Sequence, residues 1–372
     1  MKNIIILLLI VSTIAVLIGF LINKFFIEMS TINKIRNRNT ELRWSKSPKT
    51  TLGGISFYLV FGIACLIILL FQSTSFNPIL VSGCTIGFIF GFIDDYFYTT
   101  SLVKFLGQII TALCFIYGNF IIHVSDNSML NNCFTAFWVV GMMNSINMLD
   151  NMDGIVSSVS LVSLGLALMI IFSSKNQNLT DIILITAVAG ALIGFLFFNW
   201  NPAKIYMGDT GSQFLGAFLS WVSIQYFWQF RDLAEGGFQV KQFLIPALAF
   251  IIPLIDTVTV TLRRLARGVS PFVGGRDHTT HHLAYLGIKD KNVVRIMIGI
   301  SVVSAFVAFK ILPILKSSEW HWSFSLATII YYLTIFSGLQ YFYEVAKQRI
   351  SQSKQEESNA MIIVEGYDEV LN

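Results

Sequence analysis

The sequence predicts an all-α, polytopic integral membrane protein of about eleven transmembrane helices, and three observations predict it. Of its 372 residues, 55% are hydrophobic and only 12% are charged. The apolar residues fall in runs close to the ~20 that span a bilayer as helix. The 25 Lys and Arg then divide unequally between alternate connections: nineteen lie on one side, five (Lys2, Lys175, Arg231, Lys241, Lys316) on the other, and Lys310 falls inside a span. Positive charge marks the cytoplasmic side, so the N-terminus is expected outside and the C-terminus in the cytoplasm.

Residues 4 to 22 form the first span. Lys2 mimics the basic start of a signal peptide, but a basic loop follows instead of a small-residue cleavage site, which predicts a retained helix. Further spans are expected at 52 to 71, 78 to 93, 102 to 123, 133 to 149, 154 to 173, 181 to 199, 211 to 230, 242 to 262, 293 to 313 and 321 to 343. Together these form a transmembrane domain over 1–345, followed by a cytoplasmic tail over 346–372 that ends in a strand or an amphipathic helix. The four cysteines (Cys65, Cys84, Cys114, Cys133) show no C-x-x-C spacing and read as small core residues rather than a disulfide or thiolate-metal framework.

The stretch from Met143 to Ile155 interrupts an apolar run with Asn144, Asn147, Asp150 and Asp153. Spacing of three would set these oxygen-bearing side chains on one side of a helix end, a cluster suited to a hard cation. Asp94 and Asp95 end the third span, Asp209 precedes the eighth, and Asp277, His278, His281 and His282 follow the ninth. All are on the expected cytoplasmic side, so polar loops from the whole chain meet on one face.

Each element has a plain structural reading as well. Asp94 and Asp95 could mark a membrane boundary, although two carboxylates at a helix C-terminus oppose its dipole. Asp209, in M-G-D-T-G-S, could cap a helix, while the same glycine-flanked N-terminus is a ready phosphate site. Lys104 could snorkel. The three histidines could hold a transition metal, but Arg263, Arg264, Arg267 and Arg276 beside them favour an anion-binding loop. His123 and His321 fall at outer boundaries as surface residues. Asp256 is an intramembrane acid, functional by default or a buried partner for one of the arginines.

These parts suit one kind of chemistry. Carboxylates and an amide bind Mg2+ through oxygen, and Lys, Arg and His clamp phosphates. Bringing a membrane phosphate against a soluble diphosphate costs about 4 kcal/mol per unit-charge pair at 4 Å and an effective dielectric of 20, which fixed cations must offset.

In that order D-D (Asp94, Asp95), K-F-L-G-Q (Lys104 to Gln108), N-x-x-N-x-x-D-x-x-D-G (Asn144 to Gly154), G-D-T-G-S (Gly208 to Ser212) and a His-rich loop after S-P-F (Ser270 to Phe272) resemble the polyprenyl-phosphate N-acetylhexosamine-1-phosphate transferases. This MraY-like family includes bacterial undecaprenyl-phosphate GlcNAc-1-phosphate transferases, to which the resemblance is greatest, and covers about residues 1 to 345. It implies transfer of a sugar phosphate from a UDP-sugar, UDP-GlcNAc foremost, to polyprenyl phosphate with release of UMP, at the start of a cell-envelope polysaccharide. By the same resemblance, Asp94 and Asp95 act on the lipid phosphate, Lys104 contacts the pyrophosphate, and Asn147 and Asp209 bind Mg2+, or Mn2+ in its place. Asp150 and Asp153 lie near metal and nucleotide with a catalytic role. His281 is assigned to catalysis, and Asn144, Arg264, Arg276, His278 and His282 to substrate binding. The partners implied are the UDP-sugar and the lipid, with a homodimer as the candidate assembly and no nucleic acid. The chain departs from the pattern by one extra residue in His278-Thr279-Thr280-His281-His282, which leaves the individual histidine roles open, and by Asn151 where many members have Gly. An ion-coupled transporter is the alternative, yet only Asp256 among the acids lies within a predicted span, whereas a transporter keeps its acids near mid-membrane. An anion-binding receptor would leave the metal cluster unexplained.

Overall fold

The computed structural model describes residues 2–32, 49–71, 77–174, 177–229, 237–270, 275, 277–315 and 322–371. Its regular structure is helical: α1 (Lys2–Ile32), α2 (Gly53–Phe71), α3 (Pro78–Phe97), α4 (Ser101–Tyr117), α5 (Ser128–Leu149), α6 (Ile155–Ser173), α7 (Leu179–Asn199), α8 (Gly208–Tyr226), α9 (Leu244–Ala249), α10 (Ile251–Ala266), α11 (Thr279–Tyr285), α12 (Asp290–Leu315) and α13 (Trp322–Leu371). Each of the eleven predicted spans falls on a helix, the ninth on two. Among the described residues, seven helices are long and apolar enough to cross a bilayer, or eight when the α9–α10 pair counts as one bent span. The chain is thus a multi-pass membrane protein.

Sequence chemistry explains where several helices start. Asn77, Asn127 and Asn178 stand just before α3, α5 and α7, and each side chain accepts a backbone N–H of the first turn, at 3.0 Å from Ile79, 3.1 Å from Leu130 and 3.0 Å from Thr180. Pro78 then opens α3, where a missing N–H costs nothing.

Helix α8 is the axis of the bundle, packed against α2, α3, α5 and α6. Sixteen of its nineteen residues are buried, which is how a helix carrying Gly208, Asp209, Gln213 and Ser220 stays inside a membrane bundle. The close approach depends on glycine. A Cβ on Gly54 would lie 2.2 Å from the Gly211 nitrogen, and one on Gly91 would lie 2.3 Å from the Asp209 carbonyl oxygen. Small residues let helix backbones meet where lipid supplies no hydrophobic drive.

The continuous span expected over 242 to 262 is broken. A short 3-10 turn, Val240–Phe243, leads into α9, and α10 leaves it at 94°. Pro253 has no N–H for the Ala249 carbonyl four residues earlier. That carbonyl instead accepts the Ser163 hydroxyl of α6 at 2.7 Å. Helix α13 runs unbroken through the 345/346 boundary to Leu371, so the tail takes the helical of the two forms expected of it, and one cysteine leaves its expected place in the core: Cys133 is exposed while Cys65 and Cys84 are buried.

Candidate active site

Four helix ends meet at one end of the bundle. Helix α3 closes at Tyr98, whose left-handed backbone (φ 52°) lets its N–H bond the Asp94 carbonyl at 2.9 Å and turns the chain back into α4. Lys104, in the first turns of α4, thereby returns to Asp94: its Nζ lies 2.7 Å from Asp94 Oδ2 and 2.9 Å from Asp209 Oδ2. The Thr99 hydroxyl donates to the other Asp94 oxygen at 2.5 Å. From α5, Asn147 Nδ2 donates to Asp209 Oδ1 and, at 2.9 Å, to Ser212 Oγ. One ammonium therefore bridges two carboxylates from α3 and α8, with an amide closing the far side.

Asp95 faces elsewhere, although it adjoins Asp94. Its Oδ1 accepts the Asp209 N–H at 3.0 Å, and its Oδ2 accepts both the Thr210 N–H at 2.8 Å and the Thr210 hydroxyl at 2.7 Å. The free N–H groups that made the α8 N-terminus a phosphate-site candidate are held by this carboxylate. Gly208 is required at the junction, because its φ is +68° and a Cβ there would sit 2.4 Å from Asp95 Oδ2.

The predicted convergence of Asn144, Asn147, Asp150 and Asp153 does not form. Helix α5 ends at Leu149, and beyond a helix end a spacing of three no longer keeps residues on one face. Asn144 exchanges amide hydrogen bonds with Gln108 (2.7 and 3.2 Å), which also donates to Gln213 Oε1 at 3.1 Å. Asp150 caps α5, its N–H 3.3 Å from the Asn147 carbonyl. Asp153 Oδ2 accepts from Asn201 Nδ2 at 3.2 Å and the Ala203 N–H at 2.9 Å, pinning the α5–α6 loop to the segment before α8. Asn151, in place of the family's Gly, has no positive φ. Its Oδ1 accepts the Thr280 hydroxyl at 2.7 Å, which joins this loop to the histidine helix.

Around α11 the arginines are largely paired with protein. Arg264 grips Asp277 through Nε (3.1 Å) and Nη2 (2.7 Å), and Arg267 adds a bond at 2.9 Å. The expected anion-binding fork of Arg264 thus holds the loop together. Burial pushes the Asp277 carboxyl up, but the Arg264 hydrogen bonds and charge, with His278 and Arg267, bring it down to about 2. Arg263 lies over the Tyr343 ring at 3.4 Å and donates to Gln340 Oε1 at 2.5 Å. His282 also meets that ring, standing perpendicular to Tyr343 at 4.4 Å, with Nε2 3.3 Å from the Asp277 carbonyl. His281 is buried 5.4 Å from the His278 ring. Burial, then the neighbouring His278, lowers His281 to about 4; burial, then Arg263, lowers His282 to about 4. Asp256 pairs with His278 at 2.8 Å and, among the described residues, with no arginine. Arg276, His321 and the S-P-F residues Pro271 and Phe272 lie outside the described residues.

Among the described residues, no three His, Cys, Asp or Glu converge as a metal cluster. The groups around the Asp209 carboxylate are mixed in type: the Lys104 ammonium with Asp94 behind it, the Asn147 Nδ2 donor and the Ser212 hydroxyl. Sequence reasoning gave Thr210 and Ser212 only a share in capping the eighth span and did not assign Thr99 or Gln213 a place here. Gln108, Thr210 and Ser212 stood inside the quoted motifs, but nothing in their spacing named their partners.

A family model described as glycosyl transferase family 4 matches residues 77–227, from the cap of α3 to the end of α8. The phospho-N-acetylmuramoyl-pentapeptide-transferase of Staphylococcus haemolyticus is 32% identical over 243 residues, 58% of this chain and 75% of that protein. That of Staphylococcus carnosus is 31% identical over 214 residues, 51% of this chain and 66% of its own length. A probable undecaprenyl-phosphate N-acetylglucosaminyl 1-phosphate transferase of Bacillus subtilis is 26% identical over 294 residues, 76% of this chain and 78% of that protein.

Proposed function

The chain belongs to glycosyl transferase family 4 and is a polyprenyl-phosphate hexosamine-1-phosphate transferase, and we propose that its donor is UDP-GlcNAc, its cation Mg2+ and its site the cytoplasmic face of the inner membrane. The observation that carries this reading is the Asp94–Lys104–Asp209–Asn147 constellation, where a fixed cation stands between carboxylates from two helices. In the reaction, an oxygen of the lipid phosphate attacks the donor phosphorus that bears the sugar, and the bond from that phosphorus to the bridging oxygen of UMP breaks. Lys104 offsets the repulsion between the two phosphates as they close, a stabilisation that grows with transition-state charge. Asp94, held by Thr99 and Lys104, orients the lipid phosphate. With a second pKa near 6 that phosphate is mostly dianionic at neutral pH, so little deprotonation is needed. Asp95 positions the α8 N-terminus.

The residues fit Mg2+, which takes one or two carboxylates and leaves the remaining positions to water and substrate phosphates. Asp209 and the Ser212 hydroxyl would hold it, joined by the Asn147 carbonyl once that amide, whose Nδ2 faces both groups here, turns over, with Mn2+ able to substitute. Bound there, it would neutralise developing phosphate charge.

UDP-GlcNAc is favoured by the resemblance of the five motifs to the undecaprenyl-phosphate GlcNAc-1-phosphate transferases and by the Bacillus relative that matches 76% of this chain. A second reading, UDP-MurNAc-pentapeptide, is favoured by the higher identity of the staphylococcal relatives. Purified protein with undecaprenyl phosphate, Mg2+ and either radiolabelled donor decides between them by lipid product and UMP. Product from UDP-GlcNAc alone is expected; product only from the muramoyl donor installs the second reading, and none from any UDP-sugar defeats both.

A further inference from the structure

Asp256, on α10, is 2% exposed and contacts no arginine in hydrogen-bonding distance among the described residues. Each of its oxygens serves one donor. Oδ1 accepts the Thr279 N–H at 2.8 Å, at the start of α11, and Oδ2 lies 2.8 Å from His278 Nδ1. An ionised carboxylate can only accept, so Nδ1 must carry the hydrogen in this pair. The ring is fixed in plane and tautomer, and Nε2 remains as its reactive atom. The Thr280–Asn151 hydrogen bond one residue on docks the same helix turn against the loop that follows Asn147.

We propose that Asp256 is a positioning residue for the transferase reaction, holding His278 with Nδ1 protonated so that Nε2 contacts the bound sugar nucleotide. The proposal rests on the transferase reading above. Carboxylates behind metal-ligating histidines set ring orientation and tautomer in this way, and there their loss costs about 10- to 100-fold in affinity or activity, the scale taken for Asp256.

Asparagine at 256 would separate this role from simple packing. It offers one acceptor oxygen, and the Thr279 N–H is an unconditional donor that would retain it. The amide NH2 would then face Nδ1, force that nitrogen to accept and move the ring proton to Nε2, at unchanged side-chain volume. The complementary change is His278→Asn, whose amide N–H reproduces the Nδ1–H bond to Asp256 but supplies no Nε2.

The test is kcat/KM for the UDP-sugar, with thermal unfolding, for Asp256→Asn, His278→Ala, His278→Asn and the Asp256→Asn/His278→Ala double variant in the full-length protein. The expected result is a 10- to 100-fold fall in kcat/KM for each single change, near-native Tm for His278→Asn, and a double variant no worse than His278→Ala. Independent, multiplying losses would overturn the proposal, as would wild-type kinetics in His278→Asn. If Asp256→Asn does not fold, His278→Asn still decides by the same criterion. Wild-type protein inactive with every UDP-sugar would instead refute the transferase reading, so the two failures are distinguishable.

Discussion

One oxygen of Asp95 takes both the backbone N–H and the hydroxyl of Thr210, at 2.8 and 2.7 Å, so the α3 carboxylate serves as the cap of α8. Asp95→Ala should therefore act on stability, leaving buried donors unpaired at about 1–3 kcal/mol each, with a clear fall in Tm. Thr210→Val should cost less, about 1 kcal/mol. Asp94→Asn should keep Tm near native and lower kcat/KM on the order of 10²-fold. Equal Tm losses in the two aspartate variants would show that the adjacent acids share one structural task.

Lys104 stands where a divalent cation would also be attracted, between Asp94 and Asp209. Removing it as Lys104→Ala should lower kcat/KM on the order of 10²- to 10³-fold. The same change leaves two carboxylates without their ammonium, so added Mg2+ should raise the variant's Tm by more than it raises that of the wild type. A Mg2+ shift no larger than the wild type's would place the cation away from Lys104.

Gly91→Ala should force α3 from α8, since the new Cβ would lie 2.3 Å from backbone at Asp209. Overpacking of this kind costs about 1–3 kcal/mol or more, and it should reduce activity by displacing Asp94 and Asp95 together. Gly141→Ala, with nothing within 4 Å of its added Cβ, is the control and should leave Tm and turnover unchanged.

Acid should loosen the histidine helix in two stages. His281 and His282, lowered to about 4, favour the folded form while neutral. Their contribution is intact above the unfolded value of about 6.5 and is lost as pH falls from there through about 4. Asp277, lowered to about 2, contributes above about 4 and loses its contribution between there and about 2. Tm measured from pH 7.5 to 5 should fall in the wild type, and His281→Gln/His282→Gln should flatten that slope. An unchanged slope would mean that other groups govern the acid response.

The spans were legible because a helix crossing a bilayer must be apolar, and α1, α2, α6 and α7 needed nothing more. Helix α8 is less apolar because it meets protein on nearly every side, and its motif located it better than its hydropathy. The break at Phe250 was signalled by Pro253, but the apolar run passes through it, so hydropathy alone read one span. At the site, residue types were legible and partners were not. Lys104 and Asp94 are ten positions apart and meet only because Tyr98 reverses the chain. Asp256 stood out as an intramembrane acid, yet its partner, 22 positions away, is a histidine because α11 folds back over α10. The arginines suggested free anion receptors; Asp277, between them and the histidines, takes two of the four.

The glycine seam between α2, α3 and α8 also bears on how such a protein can diverge. Where even one methyl is excluded beside Asp209 and Gly211, replacing those glycines is expected to disturb the site itself. Asp277 and its arginines, by contrast, form a replaceable clasp of side chains on a connection outside the seam. Selection for a new sugar donor, in nature or in a library, has its room in that clasp and not in the seam.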